Sequence, residues 1–461
     1  MRNGEDILPP VPQLGTRSDP FNPRGLPRIV VIGAGFGGLA VVRGLKLAPA
    51  LVTVIDKTNH NLFQPLLYQV ATAALAPSDI AVPVRGLFTD MPRVGTLMGE
   101  VTGVDSARKL VLVKDVPEIP YDYLVLATGS VYSWFGHDEW SKHAHVLKTL
   151  DQALALRGSL LSAFEWAESR TDPDEIRKLL TFVVVGGGPT GVEMAGAIAE
   201  LAHSTLARDF RRIQPSWARI VLCEGGPTLL AGFPQRLSDY ARRQLEKLGV
   251  EVRTGTQVET VDRDGVVAGG ERISSANVLW AAGTAATPVA DWVGAEKGKG
   301  EGVKIGPDCA VLGHSDVFAV GDCTYSEDAR GRRLPGVAPV AKQQGSYVAE
   351  VLMTRLIGAP APPPFLYDDQ GQLAMVGRSA AVADFGRVKM TGVVGWLLWS
   401  VVHLFFLIGA RNRLAVYVNW VWAWLTYGRG ARLITMVDAQ TRTEMSYLDR
   451  LAKHRPSTSA K

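Results

Sequence analysis

Cysteine is scarce in this chain. Three thiols, Cys223, Cys309 and Cys323, stand in 461 residues and none belongs to a Cys-x-x-Cys pair. That pattern gives no disulfide framework and no dithiol redox relay, and it suits a reducing compartment. A strong charge bias is missing too: 49 basic against 45 acidic residues leave a formal +4, which by itself names no partner. The eight histidines make no metal array and no nucleophilic triad stands out, so no metal site is assigned. Residues 1–26 are proline-rich and polar and lack the apolar core of an export signal, so they read as a flexible arm. What the chain does have is 47% hydrophobic residues and 48 glycines, with room for about three domains at roughly 150 residues each.

The apolar runs follow a repeated grammar. Residues 28–32 form a β-branched run, 33–38 are glycine-rich, and 39–47 have a helical pattern. A second strand over 51–55 ends at Asp56, and 66–75 reads as extended. A further strand at 123–127 ends in Thr128 and Gly129, and 142–180 looks helical. The grammar then restarts: strand 182–185, turn 186–191, helix 192–201, strand 219–223 and Glu224. Strands at 278–282 and 317–320, ending at Gly283 and at Gly321-Asp322, return the chain to its first domain. The expected fold is α/β, with two Rossmann-like dinucleotide-binding domains, the second inserted into the first, and a C-terminal membrane-associating region. The expected borders are 27–150 and 291–360 for a flavin-binding domain, 151–290 for a nicotinamide-binding domain, 361–440 for the C-terminal region and 441–461 for a flexible tail.

Each glycine cluster has the spacing of a phosphate cradle. In Gly33-x-Gly35-x-x-Gly38 the first glycine permits a tight turn, the second lets backbone approach a pyrophosphate, and the third allows close helix–sheet packing. Asp56 stands where a carboxylate accepts hydrogen bonds from an adenosine ribose. Gly186-x-Gly188-x-x-Gly191 followed by Glu224 repeats the pattern, and an acid there favours NADH by repelling the extra phosphate of NADPH. Two cradles could hold two nicotinamide cofactors. One fixed flavin and one exchangeable dinucleotide make better chemical sense, because a flavin accepts a hydride and releases electrons singly or in pairs. Asp322 is then the candidate for the ribityl chain, with Thr128 and Gly129 closing on the first nucleotide and Gly283 a further cofactor-binding candidate. A turn or helix-cap aspartate is the bland reading of Asp322.

These segments resemble those of type II NADH:quinone oxidoreductases, single-subunit, non-pumping dehydrogenases of the two-dinucleotide-binding flavoproteins. The resemblance runs from residue 28 to about 440. Its sharpest pieces are HNLFQPLLYQVAT at 60–72, TFVVVGGGPTGVEMAG at 181–196, TLARDFRRIQP at 205–215, VFAVGDC at 317–323 and LPGVAPVAKQQG at 334–345. It implies noncovalent FAD, NADH as exchangeable donor and a membrane quinone as acceptor. It also places Glu193 where relatives handle substrate or protons, although a position early in a helix favours the ionised carboxylate. Gln343 and Gln344 fall in the family's flavin–quinone region, while Pro339 stands where many relatives carry another glutamine. A soluble reductase using ferredoxin and a flavoprotein that only senses NADH are the competing readings.

The last feature is again an absence: no Asp or Glu occurs from Phe385 through Val437. Residues 392–410 are apolar and aromatic, followed by Arg411 and Arg413. A second stretch carries Tyr417, Trp420, Trp422, Trp424 and Tyr427, followed by Arg429 and Arg432. The pattern alone leaves a single transmembrane helix open; together with the in-plane C-terminal helices that the resemblance implies, it favours a monotopic attachment on the cytoplasmic face of the cell membrane, with the arginines facing anionic headgroups. NADH, a membrane quinone and an anionic lipid surface are the expected partners, with a homodimer considered and no nucleic acid.

Overall fold

The computed structural model describes residue 22 and residues 25–328, 331–426 and 428–434. The arm expected before residue 27, apart from residues 22, 25 and 26, lies outside them, as do Tyr427 and the tail expected from 441. In chain order the elements that matter are β1 (Arg28–Ile32), α1 (Phe36–Gly44), β2 (Leu51–Asp56), β3 (Val94–Met98), β4 (Tyr123–Leu126), α2 (Leu150–Ser169), β5 (Thr181–Val185), α3 (Pro189–Glu200), β6 (Arg219–Glu224), β7 (Val250–Thr254), β8 (Asn277–Trp280), β9 (Val317–Ala319) and α4 (Ala338–Ile357). A three-stranded antiparallel sheet, β10 (Gln372–Gly377), β11 (Ala380–Asp384) and β12 (Lys389–Thr391), precedes the helices α5 (Gly392–Phe406) and α6 (Ala410–Thr426).

The described residues pack as two compact units. The first takes the chain up to Asn61, Val82–Val131 and Thr284–Asp369. Its sheet has the order β9-β4-β1-β2-β3, with all neighbours parallel. Because both faces of a parallel sheet are covered, β1 reads RIVVI without alternation and is buried from its second residue on. The chain goes from β1 to β2 on one side and later places β4 on the other, so the sheet's switch point lies at the C-terminal end of β1, where ligands bind in such folds. Helix α1 packs closely on α4: a Cβ on Gly345 would stand 2.4 Å from the Gly37 carbonyl oxygen.

The second unit takes Leu62–Ala81, Tyr132–Gly283 and the chain from Gln370. Its sheet, β7-β6-β5-β8, is also all parallel, with β5 as the switch strand. Helix α3 leaves the end of β5 and runs beneath β10; a Cβ on Gly196 would stand 1.9 Å from the Val376 carbonyl oxygen, so only glycine permits that approach. The C-terminal sheet and helices therefore belong to the same compact unit as the second nucleotide fold.

Two sequence expectations need correction. Residues 66–75 are not extended: a 3-10 turn at Gln64–Leu66 runs into a helix at Leu67–Ala71, whose five residues are all buried. An apolar run with no alternation is equally compatible with a buried helix, and here Pro65 in the opening turn starts one. Both cradle helices also start earlier than their apolar patterns suggest, at Phe36 and Pro189, with Gly35 and Gly188 as N-caps. The backbone between the second and third glycines is thus already helical.

Candidate functional site

The two cradles are built alike. Gly33 has φ +102° and Gly186 has φ +107°, a region that strains any residue with a side chain. A Cβ on Gly38 would fall 1.8 Å from the Gly33 carbonyl oxygen, and one on Gly191 would fall 1.8 Å from that of Gly186. Helix and turn are therefore jammed together, backbone on backbone. The middle glycines differ: a Cβ on Gly35 or Gly188 would meet nothing within 4 Å. These two face open space, with no side chain to cap their helices, so the positive ends of α1 and α3 are offered to an outside anion.

The acids at the strand ends hook back onto the turns. Asp56 Oδ2 accepts the Ala34 amide at 2.7 Å, and its Oδ1 accepts the amide and hydroxyl of Thr58, both at 2.8 Å. Glu224 Oε2 accepts the Gly187 amide at 2.5 Å and its Oε1 the Gly226 amide at 2.6 Å. An ionised carboxylate has about four acceptor sites, so each acid can pin its cradle and still receive a ribose hydroxyl. Gly187 is needed for this closeness, since a Cβ there would stand 3.0 Å from the Glu224 side chain.

In the first unit Asp322 sits in the turn after β9. Gly321 has φ +74°, its amide donates to Gln344 Oε1 at 2.7 Å, and Ser130 Oγ donates to Asp322 Oδ2 at 3.0 Å. Thr128 and Thr287 share a hydroxyl hydrogen bond of 2.5 Å, and Thr287 Oγ1 donates to the Gly129 carbonyl at 3.2 Å. A cleft beside Asp322 is lined by Gly336, Lys299 and Arg333. Lys299 and Arg333 carry no motif, so sequence reading missed them. An open cradle, a helix N-terminus, a ribose acceptor and two nearby cations suit a dinucleotide with a pyrophosphate, and FAD fits this set. In the second unit a cleft of about 680 Å³ runs along Gly186, Gly188, Glu224, Thr256, Trp280 and Gly283.

Glu193 lies in the second turn of α3 and accepts the Met375 amide at 3.3 Å. The side chain keeps some accessible surface, but protein surrounds it deeply enough that burial pushes its carboxyl up to about 8, outweighing the Met375 hydrogen bond. It is therefore largely protonated at neutral pH, against the ionised form that its place in the helix alone suggests. Gln344 is fully buried; besides holding the Gly321 amide, its Nε2 donates to Ser326 Oγ at 3.2 Å. Gln343 exchanges two hydrogen bonds with the backbone of Asp368, at 2.8 and 2.9 Å. Both glutamines thus spend their amides on the chain itself. The three cysteines are buried and unbridged, and burial pushes each thiol up, Cys223 and Cys323 to about 11, so none supplies a thiolate.

Among the described residues no helix is long and apolar enough to cross a membrane. The apolar stretch breaks at Leu407 and Gly409, leaving α5 and α6 at 15 and 17 residues. They still present a broad apolar plate, with Val394, Leu397, Val401, Phe405, Trp422 and Leu425 among its exposed members. The arginines do not all face outward, as the missing acids led us to expect. Arg429 is turned inward, donating to the Thr72 carbonyl at 2.8 Å and pairing with Glu200 at 3.3 Å, and Arg432 pairs with Asp209. Acids from distant parts of the chain fill the gap left by the local sequence.

Comparison with known proteins agrees with this anatomy. The pyridine nucleotide-disulphide oxidoreductase family matches residues 27–345, and the NDH2 C-terminal domain matches residues 370–430. The type II NADH:quinone oxidoreductases Ndh and NdhA of Mycobacterium tuberculosis are each 41% identical to the chain, over 94% and 93% of it and 96% and 94% of their own lengths. The fold is that of NDH2 from Plasmodium falciparum, solved with NADH, at a TM-score of 0.79 and 21% identity, covering 87% of this chain and 99% of that one. On these matches the chain belongs to the type II NADH:quinone oxidoreductases, FAD-dependent enzymes that pass electrons from NADH to a membrane quinone.

Proposed function

We propose that the first compact unit holds FAD and the second holds NADH, each on its own cradle. The observation that carries this division is the duplicated geometry of open middle glycine, jammed third glycine and strand-end acid, with Asp322 present only in the first unit. Gly33, Gly35, Gly38, Asp56, Thr128, Gly129 and Asp322 would hold FAD; Gly186, Gly188, Gly191, Glu224 and Gly283 would hold NADH. When bound, FAD supplies two-electron acceptance from the nicotinamide and delivery to the quinone. Glu224 selects NADH because its carboxylate, already committed to the cradle, leaves no room or charge complement for a second phosphate. Protonated Glu193 can donate a hydrogen bond or a proton at neutral pH, which an ionised carboxylate cannot. Gln344 acts through the Gly321 turn and so positions Asp322; Gln343 reaches a quinone only by giving up Asp368.

The apolar plate of α5 and α6 is assigned to the cytoplasmic face of a membrane, in a monotopic arrangement. Support comes from exposed tryptophans beside aliphatic residues and from His403, the one titratable group on α5, which burial pushes down to about 4 and keeps uncharged. The exposed arginines Arg411 and Arg413, the latter also donating to the Leu407 and Phe405 carbonyls, suit anionic lipid. Cytoplasmic placement is supported by three unbridged thiols. A homodimer would cover the same plate, but a plate edged with tryptophan suits a bilayer boundary better than a dry protein interface.

Three outcomes test this reading. Gly35→Val should fold but lose FAD, because its new side chain meets only the ligand's space, whereas Gly38→Val should fail to fold; circular dichroism with flavin absorbance separates the two, and a folded Gly35→Val that keeps FAD would contradict the assignment. For Glu193 the folded carboxyl titrates above its unfolded value of 4.5. The native state therefore retains a proton that the unfolded chain releases, and stability falls as pH rises from that value to about 8. Glu193→Gln should remove this loss, raising Tm relative to the parent at pH 8 and little at pH 5, and it should flatten the pH dependence of stopped-flow reduction by NADH; parallel profiles in both proteins would count against a buried, protonated Glu193. Finally, Val401→Asp with Phe405→Asp should abolish flotation with anionic vesicles while turnover with a water-soluble quinone persists. Undiminished flotation, or a shift from dimer to monomer in light scattering without lipid, would move the plate's partner from bilayer to a second copy.

A further inference from the structure

The segment Tyr132–Trp140 forms one wall of the second unit's cleft. Trp280, at the end of β8, is its centre: it stacks on Trp134 at 5.5 Å, meets Trp140 at 5.3 Å, and donates from Nε1 to the Ser133 carbonyl at 2.9 Å. Trp280 and Trp140 are buried, but Phe135, next to them, is 64% exposed. Its backbone is unusual as well. Phe135 has φ +52° and Gly136 φ +91°, and the His137 amide closes the turn on the Trp134 carbonyl at 3.0 Å. A turn with two successive positive φ values favours glycine or asparagine, and a bulky aromatic at its first position is strained. Backbone strain of this kind clusters at active sites and ligand clamps.

The ring has a definite seat. It meets Trp280 edge-on at 6.2 Å and 64°, and its tip occupies the space a side chain on Gly283 would need, 2.3 Å from an added Cβ. Gly283 follows β8, which lies on the opposite side of β5 from β6 and Glu224. A dinucleotide laid across the strand ends with its adenosine ribose on Glu224 and its pyrophosphate on the cradle must send its nicotinamide half toward β8. We propose that Phe135 is the contact residue for that half: its exposed face stacks on the nicotinamide ring, with the tryptophan wall behind it. This rests on the NADH assignment of the second cradle.

The test is titration calorimetry of NAD⁺ and of ADP-ribose, which lacks only the nicotinamide, on the FAD-loaded full-length protein. Phe135→Ala should weaken NAD⁺ about three- to tenfold, the usual worth of one aromatic stacking contact, and leave ADP-ribose unchanged. Phe135→Tyr should restore the parent ratio, and Phe135→Leu, which keeps the apolar volume but not the flat face, should resemble alanine and serves if alanine impairs folding. An equal loss for both ligands would make Phe135 a structural prop, and no loss for either would remove it from the site; each overturns the proposal. Glu224→Ala distinguishes the underlying reading: it should weaken both ligands, and if it weakens neither, the NADH assignment falls and takes the proposal with it.

Discussion

Two places where no side chain fits govern the rest of this molecule. At Gly38 and Gly191 the start of a helix rests on the carbonyl of the turn before it, closer than any Cβ would allow. That contact sets each helix directly over the end of its strand, aims its positive end into the switch point of the sheet, and leaves the middle glycine facing outward. The strand-end acids can then reach back to the turn amides. Without the backbone contact, Asp56 and Glu224 would be surface carboxylates at the ends of two sheets, and neither cleft would exist in its present form.

Glu193 shows how context decides between opposing effects. A carboxylate near a helix N-terminus gains about 0.3–1 kcal/mol from the dipole. Removing an ion from water costs several kcal/mol, and among the described residues Glu193 has the Met375 amide but no cation to offset it. Burial wins, and the carboxyl is largely protonated at neutral pH. At the other end of the same helix Glu200 has Arg429 to answer it. One helix thus carries a carboxyl that burial keeps protonated and another that pairs with the C-terminal segment.

The sequence made legible whatever is local. Both cradles, their strand-end acids and the Gly321-Asp322 turn are spelled out in contiguous residues whose spacing has a backbone reason, and the structure places them at strand ends. Long-range partners were not legible: nothing near Arg429 or Arg432 announces Glu200 or Asp209, and nothing near Gln343 announces Asp368. The helix at Leu67–Ala71 was hidden because an apolar run buried on all sides has no periodicity to read. Phe135 was passed over because its significance lies in a backbone angle and in the space above Gly283 that its ring fills, neither of which composition reveals.

The central claim is the division of labour between the cradles, and hydrogen–deuterium exchange reads it most directly. On adding FAD to flavin-free protein, protection should appear over 33–38 and around Gly321-Asp322. On adding NAD⁺ to the FAD-loaded protein, it should appear over 186–191 and around Glu224 with the first cradle unchanged. Protection of 33–38 by NAD⁺, with 186–191 unaffected, would contradict the account.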